Sequence, residues 1–189
     1  MRSVNSARET LQCVALNPAT VTIRLLEGAP AEMRELQRVL EEAPVYAHRI
    51  TGVPPGRADA QSTYTALPDG KSYADKFVFA INRESEMVGC ADLIRGYPDA
   101  ATALLGLLLV SERVRREGIG SRAYALLEQY IRDWRICRQV RIGVVRSNAE
   151  VIPFWTRLGF EPTAEVKPYR HGPVASETVV FQKKLPGTT

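Results

Sequence analysis

The feature of this sequence that most restricts its fold is an apolar run that leads into a glycine turn and then a helix. Ala103 to Val110 forms an eight-residue run without a charge. Residues 115–121, RREGIGS, follow it, and a helical pattern begins near Ile119. Glycines let an anion approach the backbone, and the free N–H groups of a helix N-terminus favour negative charge. The order strand, glycine turn, helix therefore predicts a phosphate-binding cradle.

The spacing of the glycines narrows the kind of phosphate ligand. Arg115, Gly118 and Gly120 give the pattern Arg-x-x-Gly-x-Gly. This is neither the six-residue dinucleotide fingerprint nor the phosphate loop that ends in Gly-Lys-Ser/Thr, so the usual nucleotide sites fit poorly. Arg115 and Arg116 add positive charge at the rim of the cradle.

Two segments together resemble the GNAT N-acetyltransferase superfamily. Residues 115–120 are similar to its acetyl-CoA pyrophosphate loop, Gln/Arg-x-x-Gly-x-Gly/Ala, and residues 148–160, NAEVIPFWTRLGF, are similar to its Asn-led helix, which ends in an aromatic residue and Leu-Gly-Phe. One helix and one strand, Val140 to Val145, separate the two segments, as in the family. The resemblance extends from Val21 to Leu185 and is specific from Leu104 to Phe160.

The resemblance implies a fold and an activity. The fold is a single α/β (α+β) domain with a mixed, mostly antiparallel central sheet flanked by helices, which we assign to residues 20–187 after an N-terminal arm, residues 1–19. The activity is transfer of an acetyl group from acetyl-CoA to a primary amine, by direct attack in a ternary complex and without a metal. The family does not fix the acceptor, for which a small molecule is our expectation, nor the acyl chain length or oligomeric state, and a homodimer is compatible with it.

The resemblance also assigns residues to acetyl-CoA. A bulge in the fourth strand, at Leu108, Leu109 and Val110, offers its backbone to the pantetheine arm and the acetyl carbonyl, while the side chains are core. The remaining assigned contacts are Arg115, Arg116, Glu117, Gly118, Ile119, Gly120, Ser121, Asn148, Phe154 and Trp155. For Asn148 a second reading is open, because Asn is also a preferred helix N-cap.

This chain departs from the family at two positions that bear on mechanism. Many members carry a general-acid Tyr where this chain has Trp155, whose indole has no proton to give at neutral pH. Tyr169 is the favoured substitute and Tyr124 an alternative, although a thiol of pKa about 8.5 also leaves without an acid. Members that acetylate protein N-termini commonly carry Glu where this chain has Gly143, which argues against a peptide N-terminus as acceptor.

Two carboxylates are candidates for the base that deprotonates the amine. Asp92 interrupts the apolar strand Val88 to Ile94, where a carboxylate needs either a partner or a task. A salt bridge with Arg95 or another Arg is the alternative explanation. Glu112, just after the fourth strand, is the second candidate, and its alternative is a solvated turn residue.

Periodicity outlines the other elements. A strand at Val21–Leu25 precedes a helix that Pro30 opens and Pro44 ends, and Val45 to Lys76 reads as loop-rich with one short helix near Ala58 to Leu67. Three strands then form an antiparallel meander. They are Phe77 to Ile81, Met87 to Ile94 and Ala103 to Val110, and the last two strands are Phe160 to Glu165 and Thr178 to Lys183.

Composition limits the remaining function classes. With 189 residues, 45% hydrophobic and 24% charged, the chain fits one globular domain. Its longest apolar run is far below the roughly 20 residues that span a bilayer, and no signal-like segment opens the chain, so we expect a cytoplasmic protein without membrane contact. The cysteines Cys13, Cys90 and Cys137 are odd in number and widely spaced, which argues against disulfides and zinc.

The charge distribution raises one alternative partner. The net charge is +4, yet nine arginines lie between Ser111 and Arg146. Such a patch suits nucleic acid. A solvated helix face carrying Arg132, Arg135 and Arg138, plus a phosphorylated ligand at the glycines, explains the arginines more simply, so we expect no nucleic-acid partner. A catalytically inactive acyl-CoA-binding module is the other alternative, since Trp155 replaces the family's acid.

Overall fold

The computed structural model describes residues 20–186 and contains seven strands and five α-helices. The predicted arm, residues 1–19, lies outside the described residues. In chain order the elements are β1 (Val21–Leu25), α1 (Pro30–Glu41), α2 (Pro44–Thr51), α3 (Asp59–Thr65), β2 (Lys76–Arg83), β3 (Glu86–Arg95), β4 (Thr102–Val110), α4 (Ile119–Asp133), β5 (Gln139–Val145), α5 (Ile152–Arg157), β6 (Glu161–His171) and β7 (Val174–Lys184).

All seven strands form one sheet in the order β1-β2-β3-β4-β5-β7-β6. Every neighbouring pair is antiparallel except β4 and β5, which are parallel. The predicted mixed, mostly antiparallel sheet is therefore confirmed. The single parallel pair follows from α4, which carries the chain back across the sheet between these two strands.

Helices cover both faces of the sheet. The side chains that α4 buries recur every four residues, Ile119, Ala123, Leu127 and Ile131, so they form one apolar stripe against the face that includes Phe79. The opposite face is covered by α1 and α3. We call this second layer the α1 face, defined by the buried residues Leu26, Leu36, Val39, Leu40, Ala43, Ala60, Val78, Ala80, Met87, Cys90 and Leu109.

The chain after α1 differs from the sequence expectation. Pro44 does not merely end α1 but occupies the first turn of a further helix, α2, where a missing N–H is harmless. Gly52, with φ 78°, ends α2 in the left-handed conformation that favours glycine. The stretch from Val45 is thus helical before it becomes loop, and the predicted short helix is α3.

The bulge in β4 also lies elsewhere than expected. Leu107 pairs with Asp92 and Leu105 with Leu93, so Gly106 is the extra residue, and Leu108 to Val110 pair regularly with β3. The assignment of the bulge to Leu108, Leu109 and Val110 is therefore wrong by two residues. A Cβ at Gly106 would lie only 3.1 Å from Asp92 Oδ2, which explains why glycine occupies the bulge.

The bounds of other elements also differ from those predicted from the sequence. β6 and β7 form a longer hairpin than predicted, because most side chains of β6 are exposed and give no apolar alternation. α4 ends at Asp133, so Arg135 and Arg138 lie beyond it and only Arg132 belongs to the predicted helix face. Between residues 20 and 186, no helix combines the length and apolar character needed to cross a membrane.

Candidate active site

The centre of the sheet contains a gap between β4 and β5. The two strands pair only from Thr102 opposite Gln139 to Leu104 opposite Arg141, after which β4 continues with β3 and β5 with β7. From Leu105 to Val110, the side of β4 that faces β5 has no strand partner in the described chain. Buried backbone groups require hydrogen-bond partners, so this edge offers a row of donors and acceptors to a ligand.

The glycine turn lies at the end of this edge. Gly118, φ 76°, is the N-cap residue of α4 and has no side chain to close the helix. Among residues 20–186, the only side chain within 4 Å of its missing Cβ is that of Arg122, at 3.5 Å. The first N–H groups of a helix lack intrahelical acceptors, so those after Gly118 are open to an anion, reinforced by the dipole of a fifteen-residue helix.

Charged side chains surround the turn. Arg115 pairs with Glu112 at 3.1 Å, and Glu117 is held by Arg83 at 2.9 Å. Arg122 Nη2 donates to the carbonyl oxygen of Glu117 at 2.9 Å, which braces the turn. Arg116 is exposed, has φ 70°, and forms no ion pair with any residue between 20 and 186. The rim is therefore positive even though Glu117 belongs to the turn.

Gly120 brings α4 against the aromatic side chain of Phe154. A Cβ at Gly120 would lie 3.4 Å from Phe154 Cζ and 3.9 Å from Val110 Cγ2. Phe154 is half-buried and thus lies between the first turn of α4 and the end of β4. Ile119 is 2% exposed, so its side chain is core and only its backbone faces the turn, whereas Ser121 is exposed.

Asn148 lies on the β5 side of the gap. It is 8% exposed and adopts φ −115°, ψ 27° inside the 3₁₀ turn Arg146–Val151. Val151, not Asn148, is the N-cap residue of α5, so the helix-cap alternative is wrong. Within the described chain the Asn148 amide forms no hydrogen bond, which leaves a nearly buried polar group available to a ligand.

Trp155 belongs to an aromatic cluster under α4. Its ring centroid lies 4.9 Å from that of Phe154, 5.2 Å from that of Phe160 and 6.2 Å from that of Tyr124. Tyr124 is 2% exposed, and burial raises the pKa of its phenol. The cluster therefore encloses the alternative acid Tyr124 within the core.

Helix α2 bridges the gap on the α1 face. At its first turn, Val45 N donates to Glu112 Oε1 at 3.0 Å, beside the end of β4. At its last turn, Ser147 Oγ donates to Arg49 O at 2.7 Å and Tyr169 Oη donates to Ile50 O at 3.0 Å. An ion pair between Arg49 and Glu150 adds a further contact. The helix thus connects the two walls of the gap.

The two other predicted catalytic residues are parts of this bridge. Glu112 accepts a hydrogen bond from Val45 N and pairs with Arg115. Tyr169 donates a hydrogen bond to the carbonyl oxygen of Ile50, and burial raises the pKa of its phenol. Glu112 follows the end of β4, whereas Tyr169 lies on β6, which β7 separates from β5. Their assignments as base and acid stay predictions.

Asp92 reaches the gap from β3, with its carboxylate beside the Gly106 bulge. Its partner is Lys76, whose Nζ lies 2.9 Å from Asp92 Oδ1. The side chain of Lys76 is 3% exposed and that of Asp92 is 16% exposed. The expected partner Arg95 instead pairs with Asp75 at 3.4 Å. Burial raises the pKa of Asp92, and the Lys76 ammonium opposes the rise without cancelling it.

Three residues near the gap escaped the sequence analysis. Gly106 had a signal, a glycine inside an apolar strand, which indicates a bulge. Lys76 had none, since its pairing with Asp92 depends on the register of β2 and β3. Tyr46, on the first turn of α2, packs against the α1 face, and no local pattern predicts that contact.

Comparison with known proteins agrees with this geometry. The sequence model of the acetyltransferase (GNAT) family matches residues 36–160. No curated protein matches the chain. Among solved structures, an acetyltransferase from Thermus thermophilus superposes with a TM-score of 0.65 at 24% identity, covering 87% of this chain and 97% of that chain.

Two further structures are ribosomal-protein-alanine N-acetyltransferases. The Brucella melitensis enzyme has a TM-score of 0.66 at 21% identity, covering 87% of this chain and 99% of its own. The Escherichia coli enzyme, which acts on S18, has a TM-score of 0.62 at 16% identity, covering 89% and 97%. Such identities show a shared fold. Because the family match extends over most of the chain and includes the glycine turn and Asn148, the chain belongs to the GNAT acetyltransferase family.

Proposed function

We propose that this protein transfers an acetyl group from acetyl-CoA to a primary amine of a small molecule. The observation that carries the proposal is the continuity of two features, the open edge of β4 and the glycine turn at its end. A long, thin ligand with a diphosphate at one end and a thioester at the other matches this arrangement. The edge offers backbone hydrogen bonds along its length, and the helix N-terminus offers an anion site at its end.

Each assigned residue then has a role toward acetyl-CoA. The N–H groups from Gly118 to Ser121 hold the diphosphate, with Arg115 and Arg116 supplying charge at the rim. The backbone of Leu108, Leu109 and Val110 pairs with the pantetheine arm, and the Asn148 amide binds it from the opposite wall. Phe154 and Trp155 supply apolar surface beside the arm. A backbone donor of β4 stabilises the thioester oxygen as it becomes an oxyanion.

Asp92 serves as the base in this proposal. The amine nitrogen attacks the thioester carbon, and its proton passes to Asp92 directly or through one water. The carboxylate lies beside the bulge of β4, and Lys76 occupies only its Oδ1. The amine is protonated in solution, so a base whose pKa is raised above the ordinary Asp value is better matched to the task.

The closure of α2 against the hairpin β6–β7 favours a small acceptor. Hydrogen bonds from Ser147 and Tyr169 to the backbone of Arg49 and Ile50 hold α2 across this side of the gap. At Gly143, a Cβ would lie 2.8 Å from Thr178 Cγ2, so the glutamate common in enzymes that acetylate protein N-termini would require Thr178 to shift. The ribosomal-protein acceptors of the two structural neighbours are therefore not proposed for this chain.

Calorimetry with acetyl-CoA tests the binding half of the proposal. We expect Gly118→Glu to abolish the binding heat, because a side chain and a negative charge would occupy the diphosphate position. Gly70→Glu is the matched control, since Gly70 has φ 77° and no atom within 4 Å of its missing Cβ. Equal affinity in wild type and a folded Gly118→Glu variant would show that the glycine turn is not the phosphate site.

Thiol release over a library of amines tests the catalytic half. An acetyltransferase releases CoA thiol with at least one amine, and an inactive binding module binds acetyl-CoA but releases none. A nucleic-acid-binding domain would bind polyanions in a strongly salt-dependent way and show no selectivity for acetyl-CoA. A cytoplasmic location and a homodimer stay predictions from the sequence.

A further inference from the structure

The proposed reaction lacks a proton donor near the sulfur. The family's tyrosine position is Trp155, and Tyr124 is enclosed in the core. The Tyr169 hydroxyl already donates a hydrogen bond to the carbonyl oxygen of Ile50 at 3.0 Å. Using it as a donor would require breaking the bridge between α2 and β6.

Tyr46 is a tyrosine beside the gap whose donor is unused. It lies on the first turn of α2 and packs against the α1 face, to which Cys90 and Leu109 belong. The adjacent residue Val45 donates its backbone N–H to Glu112 Oε1 at 3.0 Å, which places this turn of α2 beside the end of β4. In the part of the chain that the structure describes, its hydroxyl has no hydrogen-bond partner. Tyr46 is half-buried, so its hydroxyl is free to donate to an occupant of the gap.

The same face of β3 carries the proposed base. Cys90 and Asp92 are two residues apart on one strand, so their side chains point to the same side of the sheet. Leu109 and Leu107, their partners on β4, lie on the strand whose other edge is open. Tyr46 and Asp92 thus lie on the same face of the sheet as Leu107 and Leu109.

We propose that Tyr46 is a catalytic residue, whose hydroxyl donates a hydrogen bond to the thioester sulfur as the leaving thiolate forms. This inference rests on the proposed acetyl transfer. The amine nitrogen forms the new bond to the acyl carbon, and the C–S bond breaks with its electron pair remaining on sulfur. The nitrogen proton leaves through Asp92, and the thiolate, stabilised by Tyr46, takes a proton from water.

The surroundings of Tyr46 suit a donor that never ionises. Burial raises the pKa of its phenol, and neighbouring Tyr169 and Cys90 raise it further. The layer beneath is closed to solvent at Cys90, which is 0% exposed, and this burial raises the pKa of its thiol to about 12. A hydrogen bond to developing charge is worth more in such a medium than in water. Tyr46 therefore keeps its proton across the working pH range and acts by hydrogen bonding rather than by full proton transfer.

The test compares three tyrosine-to-phenylalanine variants. We expect Tyr46→Phe to lower kcat by about 10²-fold, the scale of one oxyanion donor, with unchanged affinity for acetyl-CoA and unchanged thermal midpoint. The loss should be constant from pH 6 to 9. Tyr130→Phe is the matched control, because Tyr130 lies on the opposite face with Phe77, Phe79 and Trp134. It should retain wild-type kcat.

Tyr169→Phe distinguishes chemistry from anchoring. Loss of its bond to Ile50 should raise the KM for the amine more than it lowers kcat. A 10²-fold fall in kcat in Tyr169→Phe, with Tyr46→Phe equal to wild type, would assign the donor to Tyr169 and overturn the inference. A wild-type protein that binds acetyl-CoA yet releases no thiol with any amine would overturn the proposed function and this inference together.

Discussion

Asp92 is the residue whose environment is most unusual, because it shares a nearly buried ion pair with Lys76 beside the open strand. Removing one partner of such a pair leaves an uncompensated charge and destabilises a protein by roughly 3–5 kcal/mol. A single substitution would therefore mix catalysis with folding. The informative variant removes both charges, Asp92→Asn with Lys76→Met.

We expect this double variant to stay folded and to acetylate amines about 10²-fold more slowly at neutral pH. Part of the loss should return at high pH, where free amine is abundant. In wild type, kcat/KM should fall as pH drops through the raised pKa of Asp92, because only the carboxylate accepts a proton. Rates against pH provide the measurement. A folded double variant with full activity at neutral pH would remove Asp92 from the mechanism.

Trp155 gives the second prediction at this scale. Its ring packs edge to face with Tyr124, Phe154 and Phe160, so its contribution is to packing. Trp155→Phe should keep most of the turnover and lower the free energy of unfolding by roughly 1–3 kcal/mol through the space left behind. Urea unfolding and initial rates measure the two effects. A folded but inactive variant would mean that the indole shapes the catalytic geometry directly.

Residue types with local roles could be assigned from the sequence. Gly118 and Gly120 were recognisable because their spacing follows from the turn that the chain must make there. Asp92 stood out because a carboxylate in an apolar strand is costly. The predicted alternative, a salt bridge with Arg95 or another Arg, named the wrong residue type, since the partner depends on which residues β2 places beside β3.

Among the secondary-structure elements, α2 can be tested through the contact that its C-terminal end makes with the hairpin β6–β7. Gly52, which caps the C-terminus of α2, packs against the hairpin β6–β7, and a Cβ there would lie 2.5 Å from Pro173 Cγ. Gly52→Val adds both this clash and the strain of a branched side chain at φ 78°. It should therefore displace the end of α2 from the hairpin.

We expect Gly52→Val to lower the thermal midpoint and raise the KM for the amine several-fold, while the Kd for acetyl-CoA changes little. Gly70→Val, at φ 77° in open space, controls for backbone strain alone. Calorimetry and steady-state kinetics on both variants separate the effects. Unchanged acceptor KM in Gly52→Val would mean that α2 does not border the acceptor site.

Most strands and α1 and α4 followed from periodicity, because their buried faces repeat regularly. α2 did not, since Pro44 was taken as the end of one helix when it also begins the next. The hairpin β6–β7 was shortened because the exposed strand β6 lacks alternation. Elements that bury one face can be predicted from the periodicity of the sequence. The position of α2 across the gap cannot, because it depends on contacts between residues about a hundred positions apart.

The molecule as a whole should be stabilised by its co-substrate. Acetyl-CoA at 100 times its Kd adds about 2.7 kcal/mol if it binds only the folded chain. For a domain of this size, that corresponds to a rise in thermal midpoint of roughly 5–11 °C. The rise should largely persist from low to high salt, because backbone hydrogen bonds supply much of the binding. A shift that vanishes at high salt would indicate nonspecific attraction of phosphates to the arginines.

The gap between β4 and β5 has a consequence for solubility. β4 from Leu104 to Val110 reads LLGLLLV, and an apolar strand with an unpaired edge is a template for another chain. The bridge α2 on one face and α4 on the other restrict access to it. A bound pantetheine arm would complete the sheet as a surrogate strand. We therefore expect the protein without acetyl-CoA to aggregate sooner on heating than the protein with acetyl-CoA bound. The co-substrate would then protect the chain from aggregation in addition to supplying the acetyl group.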